Sequence, residues 1–476
     1  MCYLKRDLNR FDLLTFAVAA AIACAELVGD ESGGGASAET QPTAASVRDE
    51  KRDAPPSAPP LSSSAPLDAR PGDACQPLHP DLPEIARIGD DPPIPDLEDE
   101  AVAMAPFYEH VAQILRGTAT DHVRIAVYGD SNLTRDYMTG AMRRRLQTKY
   151  GDAGHGYVAS VKPWGWYHHM DVRHGDDGAW DGINVTTRTT YDARYGHAFI
   201  AAHSQWQSSR TWVQTADEHA PIGKTASHFD IAYVKGPWYG AFDAEVDGTA
   251  VAHIDAHAAE FSAGFTAIDV PDAPHKLVLA VKSGSAQLLG VSIEREPKPA
   301  SFVVDSLGVG SMNCVCMLQG DPEVYDATLQ RRKYDLVIVH LGTNLFIPDK
   351  VGPCYEKLIA RHRHALPGVP LLVMTPPDFI GMINPPRTAD WMLKTIDALK
   401  STARASRTPL FDFFAAMGGN GSMARFHERK MVGPGDWVHF NEEGAAYMGD
   451  RVLYAIWKGF QGYAADHPRA GCEPPP

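Results

Sequence analysis

The chain has 476 residues, 44% of them hydrophobic and 22% charged, which leaves room for two or three domains and a sizeable core. Its formal charge of -15 at pH 7 argues against a nucleic-acid partner, which would favour a basic surface. Part of that acidity falls in a stretch that does not read as folded, so the charge decides little else.

Lys5, Arg6 and Arg10 precede an apolar stretch over residues 13–23, followed by Cys24. The stretch is too short to span a bilayer and fits the core of a secretory signal, predicted over 1–28. Ala21-Ile22-Ala23-Cys24 is similar to a bacterial lipoprotein cleavage site, with Ala21 where Leu is usual. Plain cleavage and lipidation at Cys24 both stay open, as does a mis-assigned start followed by a disordered tail, with export the favoured reading. The first two imply export to the periplasm or cell envelope, with membrane contact only through Cys24. Residues 29–95, rich in Ser, Ala, Pro, Gly and Asp, cannot bury enough surface to offset ordering entropy and are predicted to be a disordered linker. Cys75 and Cys472 flank the remainder and could close its ends, while Cys354 could meet Cys314 or Cys316. None has zinc-ligand spacing to nearby histidines, so no metal is expected.

Val102, Phe107, Val111 and Leu115 recur at helical spacing ahead of a short apolar strand at 123–128. That strand delivers Gly129-Asp130-Ser131 to a strand-to-helix turn. The next helix carries Met138, Met142, Leu146 and Tyr150 on one face, and Gly151 can end it. The following strand of the same kind comes only at 301–305. In between, Phe229/Ile231/Tyr233, Phe242/Ala244/Val246, Leu277/Leu279/Val281 and Leu289/Val291/Ile293 alternate with other residues, and Asp247-Gly248 supplies a turn. Alternation of this kind marks antiparallel strands with one buried face. It predicts an inserted β-sandwich within 166–300, clearest over 185–300. Strands at 336–341, 371–374 and 410–413 then resume the first pattern, with helices between. A final helix starts after Asn441, has Glu442 and Glu443 in its first turn, and buries Ala445, Met448, Val452 and Ile456. The fold class is therefore α/β, a three-layer α/β/α domain in two parts, 96–165 and 301–465, around an inserted antiparallel sandwich, with a tail at 466–476.

In parallel sheets ligands collect at the carboxyl ends of strands. Ser131, Gly310 and Asn344 all follow expected strands. A serine hydroxyl becomes a nucleophile when a histidine takes its proton and a carboxylate fixes the imidazole. Asp436-Trp437-Val438-His439 places such a pair on one tight turn. The Ser131 N–H, the Gly310 N–H and the Asn344 amide could serve a developing oxyanion.

With these residues the chain resembles the SGNH (GDSL-type) serine hydrolases, whose signature is a serine, a glycine, an asparagine and a histidine. Ser131 matches the first block, Asn344 the third, and Asp436 and His439 the fifth. The second-block glycine lies in Asp305-Ser306-Leu307-Gly308-Val309-Gly310, best at Gly310 and otherwise at Gly308. The resemblance covers roughly 97–160 and 301–460 and implies a flavodoxin-like SGNH fold without a cofactor. A sandwich between the first two blocks resembles the layout of peptidoglycan O-acetylesterases, where the insert looks like a carbohydrate-binding module. The resemblance implies an exported esterase whose partner is an acylated polysaccharide such as peptidoglycan. Asn132 stands where many members have His, Leu345 where an acidic residue is usual, and Trp437 where glycine is frequent.

Other readings of the same parts are an acetyltransferase, a lipase or thioesterase, and a glycan-binding lipoprotein with a vestigial triad. The run Trp164, Trp166, Tyr167, His168, His169, Asp171 and His174 lacks metal-ligand spacing and reads as a sugar-facing surface or a loop packed on the sheet. His253 and His257 read as structural.

Overall fold

The computed structural model describes residues 75–85, 91–187, 193–381 and 387–472. The expected signal, Cys24 and most of the expected linker lie outside the described residues.

Five apolar strands form a parallel sheet in the order Phe302–Gly308, Val123–Gly129, Leu336–His340, Leu371–Met374, Leu410–Phe411. In chain order this is the flavodoxin-like arrangement, whose switch point falls beside the first strand. Both faces are covered, and the pleat explains why. Val123, Ile125 and Val127 pack toward the helices Ala105–Arg116, Tyr137–Tyr150 and Glu442–Asp466. Ala126 and Tyr128 point the other way, into a core shared with Pro322–Arg332, Val351–Ala365 and the insert. The last helix begins where its cap predicts: the Asn441 side chain accepts the Gly444 N–H at 2.9 Å.

The insert is two antiparallel sheets. One runs Ser262–Ala273, Ala226–Lys235, Ala286–Glu294, Ile200–Ser204, Asp181–Asn184. The other runs Arg173–Asp176, Arg210–Gln214, Lys276–Val281, Ala241–Val246, Thr249–Asp255. Each of the four alternating runs read from the sequence falls inside one of these strands, and Tyr233 meets Phe242 edge-on across the layers with ring centres 5.3 Å apart. Tyr128 of the parallel sheet donates to the His197 carbonyl and packs on Phe199, so insert and sheet share one apolar core.

Three boundaries differ from those expected. Gly154–Val158 already pairs with Ala286–Glu294, so antiparallel structure starts before residue 166. Its two glycines and histidine gave no apolar alternation to read. Residues 75–85 and 91–95 are not a free linker: Leu78, Leu82 and Ile94 pack on the core, and the Pro80 carbonyl accepts from Gln461. The tail is likewise held as far as Cys472, with Ala470 buried and Cys75 joined to Cys472. A second disulfide joins Cys314 to Cys354. Among the described residues no helix is long and apolar enough to cross a membrane.

A buried ionic network welds insert to sheet. Arg124, on the first parallel strand, meets Glu294 of the insert at 2.8 Å. Arg332 meets both Glu294, at 2.8 Å, and Asp305 of the second parallel strand, at 2.9 Å. Asp305 also accepts the Tyr157 N–H. Burial pushes the Glu294 carboxyl up, but the charges of Arg124 and Arg332 outweigh it and hold it far below the usual range. Removing one partner from such a cluster leaves buried charge uncompensated. Glu294→Gln should cost about 3–5 kcal/mol in urea unfolding. The lowered folded pKa also means that the wild type loses this contribution as pH falls below about 4.5, the ordinary glutamate value, a loss the variant lacks. A variant with unchanged urea midpoint and acid sensitivity would show that the weld is dispensable.

Candidate active site

The strand Val123–Gly129 ends in a one-turn helix, Ser131–Leu133, capped by Asp130, whose Oδ1 accepts the Asn132 N–H at 3.1 Å. This turn lifts Ser131 to the carboxyl end of the sheet. There the Ser131 Oγ lies 2.8 Å from His439 Nε2. His439 Nδ1 lies 2.9 Å from Asp436 Oδ2. The other Asp436 oxygen accepts the Val438 and His439 N–H groups at 2.8 and 3.0 Å. The Asp436 N–H donates to the Gly433 carbonyl, closing the turn. Asp and His are thus fixed relative to each other by local backbone, and only Ser131 comes from afar.

The electrostatics favour an imidazolium on His439. Burial pulls its pKa down, but the hydrogen bond and charge of Asp436, aided by Asp130 and opposed by Arg135, bring it above the ordinary histidine value. Burial likewise pushes Asp436 up, and the His439 contacts with the two backbone N–H groups hold it below the usual carboxylate range. Both side chains keep solvent access, 45% for His439 and 31% for Asp436, so the pair is open to solvent.

Gly310 and Asn344 stand on the neighbouring loops. The Val309 N–H donates to the Gly129 carbonyl, setting the Gly310 loop beside the serine turn. The Asn344 amide donates to the Met312 carbonyl at 3.3 Å, and Asn313 donates back to the Asn344 carbonyl at 3.1 Å. The Cys314–Cys354 bridge ties the short helix after the first loop to the helix after the second.

Sequence reasoning took Asn132 only as a departure bearing on substrate. Its Oδ1 instead accepts the Phe440 N–H at 3.0 Å, clamping the serine turn to the residue after His439. No pattern in one sequence signals a contact spanning that separation. Leu345 packs on the core and Trp437 is exposed. In the His-rich run, Tyr167 and His169 are drawn inward while Trp166 stays exposed, and Asp171 is paired with Arg144. His253 pairs with Asp243 on the sandwich surface.

The two candidate glycines separate sterically. A Cβ on Gly308 would come within 2.7 Å of the Leu133 backbone, inside the serine turn, whereas on Gly310 the nearest atom is 3.9 Å away. Gly308→Ala should therefore destabilise the fold by about 1–3 kcal/mol through overpacking, and Gly310→Ala should melt within a degree or two of wild type. Equal melting temperatures for the two variants would contradict this division.

Residues 282–447 match the sequence profile of the GDSL-like lipase/acylhydrolase family. Among solved structures, a peptidoglycan O-acetylesterase is similar at 20% identity, over 77% of this chain and 99% of its own, with a TM-score of 0.64. A family-two carbohydrate esterase from Clostridium thermocellum aligns at 14% identity over 60% of this chain and 98% of its own, TM-score 0.26. A lipase/acylhydrolase from Enterococcus faecalis aligns at 15% over 34% and 77%, TM-score 0.26. No curated protein matches the chain in sequence. The profile match takes in Gly310, Asn344, Asp436 and His439, so over this segment the chain is similar to the GDSL-like lipase/acylhydrolase family, and its fold is similar to that of a peptidoglycan O-acetylesterase.

Proposed function

We propose that the protein is an exported serine esterase that removes O-acetyl groups from a cell-wall or other extracellular polysaccharide. The observation that carries this reading is the unbroken hydrogen-bonded line from Asp436 through His439 to Ser131. In the proposed reaction His439 Nε2 takes the Ser131 proton as Oγ adds to the ester carbonyl. The oxyanion is met by the N–H groups of Ser131 and Gly310 and by the Asn344 amide. His439 then protonates the departing sugar oxygen, leaving acetyl-Ser131. A water enters, gives its proton to His439 and adds to the acyl carbon; the proton returns to Ser131 Oγ as acetate leaves. Asp436 keeps Nδ1 protonated throughout.

Support for a polysaccharide comes from the fold, similar over 77% of this chain to that of a peptidoglycan O-acetylesterase. It also comes from Trp437, which sits between the two triad residues, is 38% exposed, and lies flat on His427 with ring centres 3.9 Å apart. A rigid exposed indole offers a face for a pyranose ring. Two disulfides favour an oxidising compartment.

Wild type should hydrolyse p-nitrophenyl acetate and acetylated peptidoglycan in preference to long-chain esters, and Ser131→Ala should hydrolyse neither. Equal acetate hydrolysis by both proteins would sink the triad, and a long-chain preference would sink the deacetylase reading alone. Asn344→Ala should lower kcat by roughly 10²–10³, as loss of one oxyanion donor does. Asp436→Asn should lower it by roughly 10⁴. Because Asp436 raises the His439 pKa, that variant should also move the acid limb of the rate profile to lower pH. Trp437→Ala should cost more on acetylated peptidoglycan than on p-nitrophenyl acetate; equal losses would remove the stacking platform.

A further inference from the structure

Behind the serine turn lies a small cavity of about 10 Å³, lined by Asp130, Asn132, Leu133, Met138, His340 and Phe440. Three of these residues bring four buried polar atoms with no hydrogen-bond partner among the described residues: Asp130 Oδ2, Asn132 Nδ2, and both ring nitrogens of His340. Asp130 is 2% and His340 4% exposed. The Thr343 hydroxyl, itself buried and short of a well-formed hydrogen bond, and the Asn132 amide both stand near enough to Asp130 to lower its pKa. Unpaired polar groups at such depth are rare in folded proteins, and several converging on one cavity are rarer. The volume suits one water molecule, and the lining supplies the two to four polar partners that a buried water requires.

We infer that this cavity binds a single ordered water that joins Asp130, Asn132 and His340 and makes them positioning residues for the nucleophile. The water makes three hydrogen bonds and satisfies three of the four atoms, leaving the protonated His340 nitrogen held by packing. The water donates one hydrogen to Asp130 Oδ2 and the other to the unprotonated nitrogen of His340, and accepts one from the Asn132 amide. Burial keeps His340 neutral, its pKa pushed down to about 3, so an acceptor nitrogen is always present at working pH. Its ring is otherwise held only by packing, 4.1 Å from Phe413.

The placement gives the water leverage over both ends of the proton path. Asp130 caps the Ser131 turn through its first oxygen, and Asn132 grips the backbone next to His439 through its own. The water takes the remaining polar atom of each. It also bears on charge. Burial pushes the Asp130 pKa up, while the Asn132 N–H, the Thr343 hydroxyl and the charge of His439 pull it down, and the water's hydrogen bond adds to that pull on the carboxylate. Its negative charge, with that of Asp436 and against that of Arg135, acts on His439. The other titrating groups near Asp130 are His340 and Tyr355.

His340→Phe keeps the ring and its packing but removes the nitrogens, and His340→Gln restores a polar partner. On p-nitrophenyl acetate, His340→Phe should lower kcat roughly fivefold to tenfold, the worth of one net hydrogen bond, with KM unchanged. Its acid limb should move to lower pH, because a protonated Asp130 no longer supports the imidazolium, and His340→Gln should recover most of both effects. A wild-type rate and pH profile in His340→Phe, or a loss equal at every pH and not rescued by Gln, overturns the proposal. Should the Phe variant not fold, a crystal structure of the wild type at a resolution that shows ordered solvent decides. A peak within hydrogen-bond reach of all three residues supports the site, and a cavity without one overturns it. The kinetic part rests on the esterase reading, whose failure would appear separately as an active Ser131→Ala; the crystallographic part does not.

Discussion

Charge buried between two folds is the constraint on which the remaining structure depends. Arg124 and Asp305 belong to the parallel sheet, Glu294 to the sandwich, and Arg332 to a helix between them. Each of these ions would be costly to bury alone, and each is tolerated because the others are present. The sandwich is therefore not a module hung on a linker. Its sheet shares a core with Tyr128, on the strand that leads directly into Ser131. Any shift of the insert would be felt at the base of that strand.

At the site the same economy of long-range contacts recurs. Asp436 and His439 are organised by their own turn, so their mutual geometry survives small movements elsewhere. What must be held from outside is the distance to Ser131. Asn132 does this with a single contact to Phe440. The disulfide between Cys314 and Cys354 performs a similar task for the loops bearing Gly310 and Asn344. Preorganisation of this kind is what the proposed oxyanion role of these loops would require.

Much of the fold was legible because its signals are local. The alternation around Phe229, Phe242, Leu277 and Leu289 named four sandwich strands, and Asn441 with its two glutamates named the start of the last helix. The residues Ser131, Asn344, Asp436 and His439 were visible because short motifs carry them. What escaped was set by partners distant in sequence. Gly154–Val158 becomes a strand because Ala286–Glu294 offers it an edge, not because its own residues alternate. Leu78, Leu82 and Ile94 are too sparse to form a pattern, yet each finds the core. Arg124, Glu294 and Arg332 carry no local signal of burial and show their role only through mutual contacts, and Asn132 reads as a substitution until Phe440 is beside it.

The position of the insert also dictates an order of assembly. The strand Val123–Gly129 lies at the centre of its sheet, but both of its neighbours, Phe302–Gly308 and Leu336–His340, come after the whole sandwich in the chain. During synthesis, which runs from the N-terminus, the central strand has to wait for them with its hydrogen-bonding edges open. The sandwich, by contrast, is complete at Glu294 and includes adjacent pairings such as Ala241–Val246 with Thr249–Asp255, which close quickly. In a growing chain all the sandwich strands thus precede both parallel partners of Val123–Gly129, and the charge of Glu294 is balanced in full only once Arg332 follows. The insert then serves as a scaffold on which the enzyme's own sheet is built.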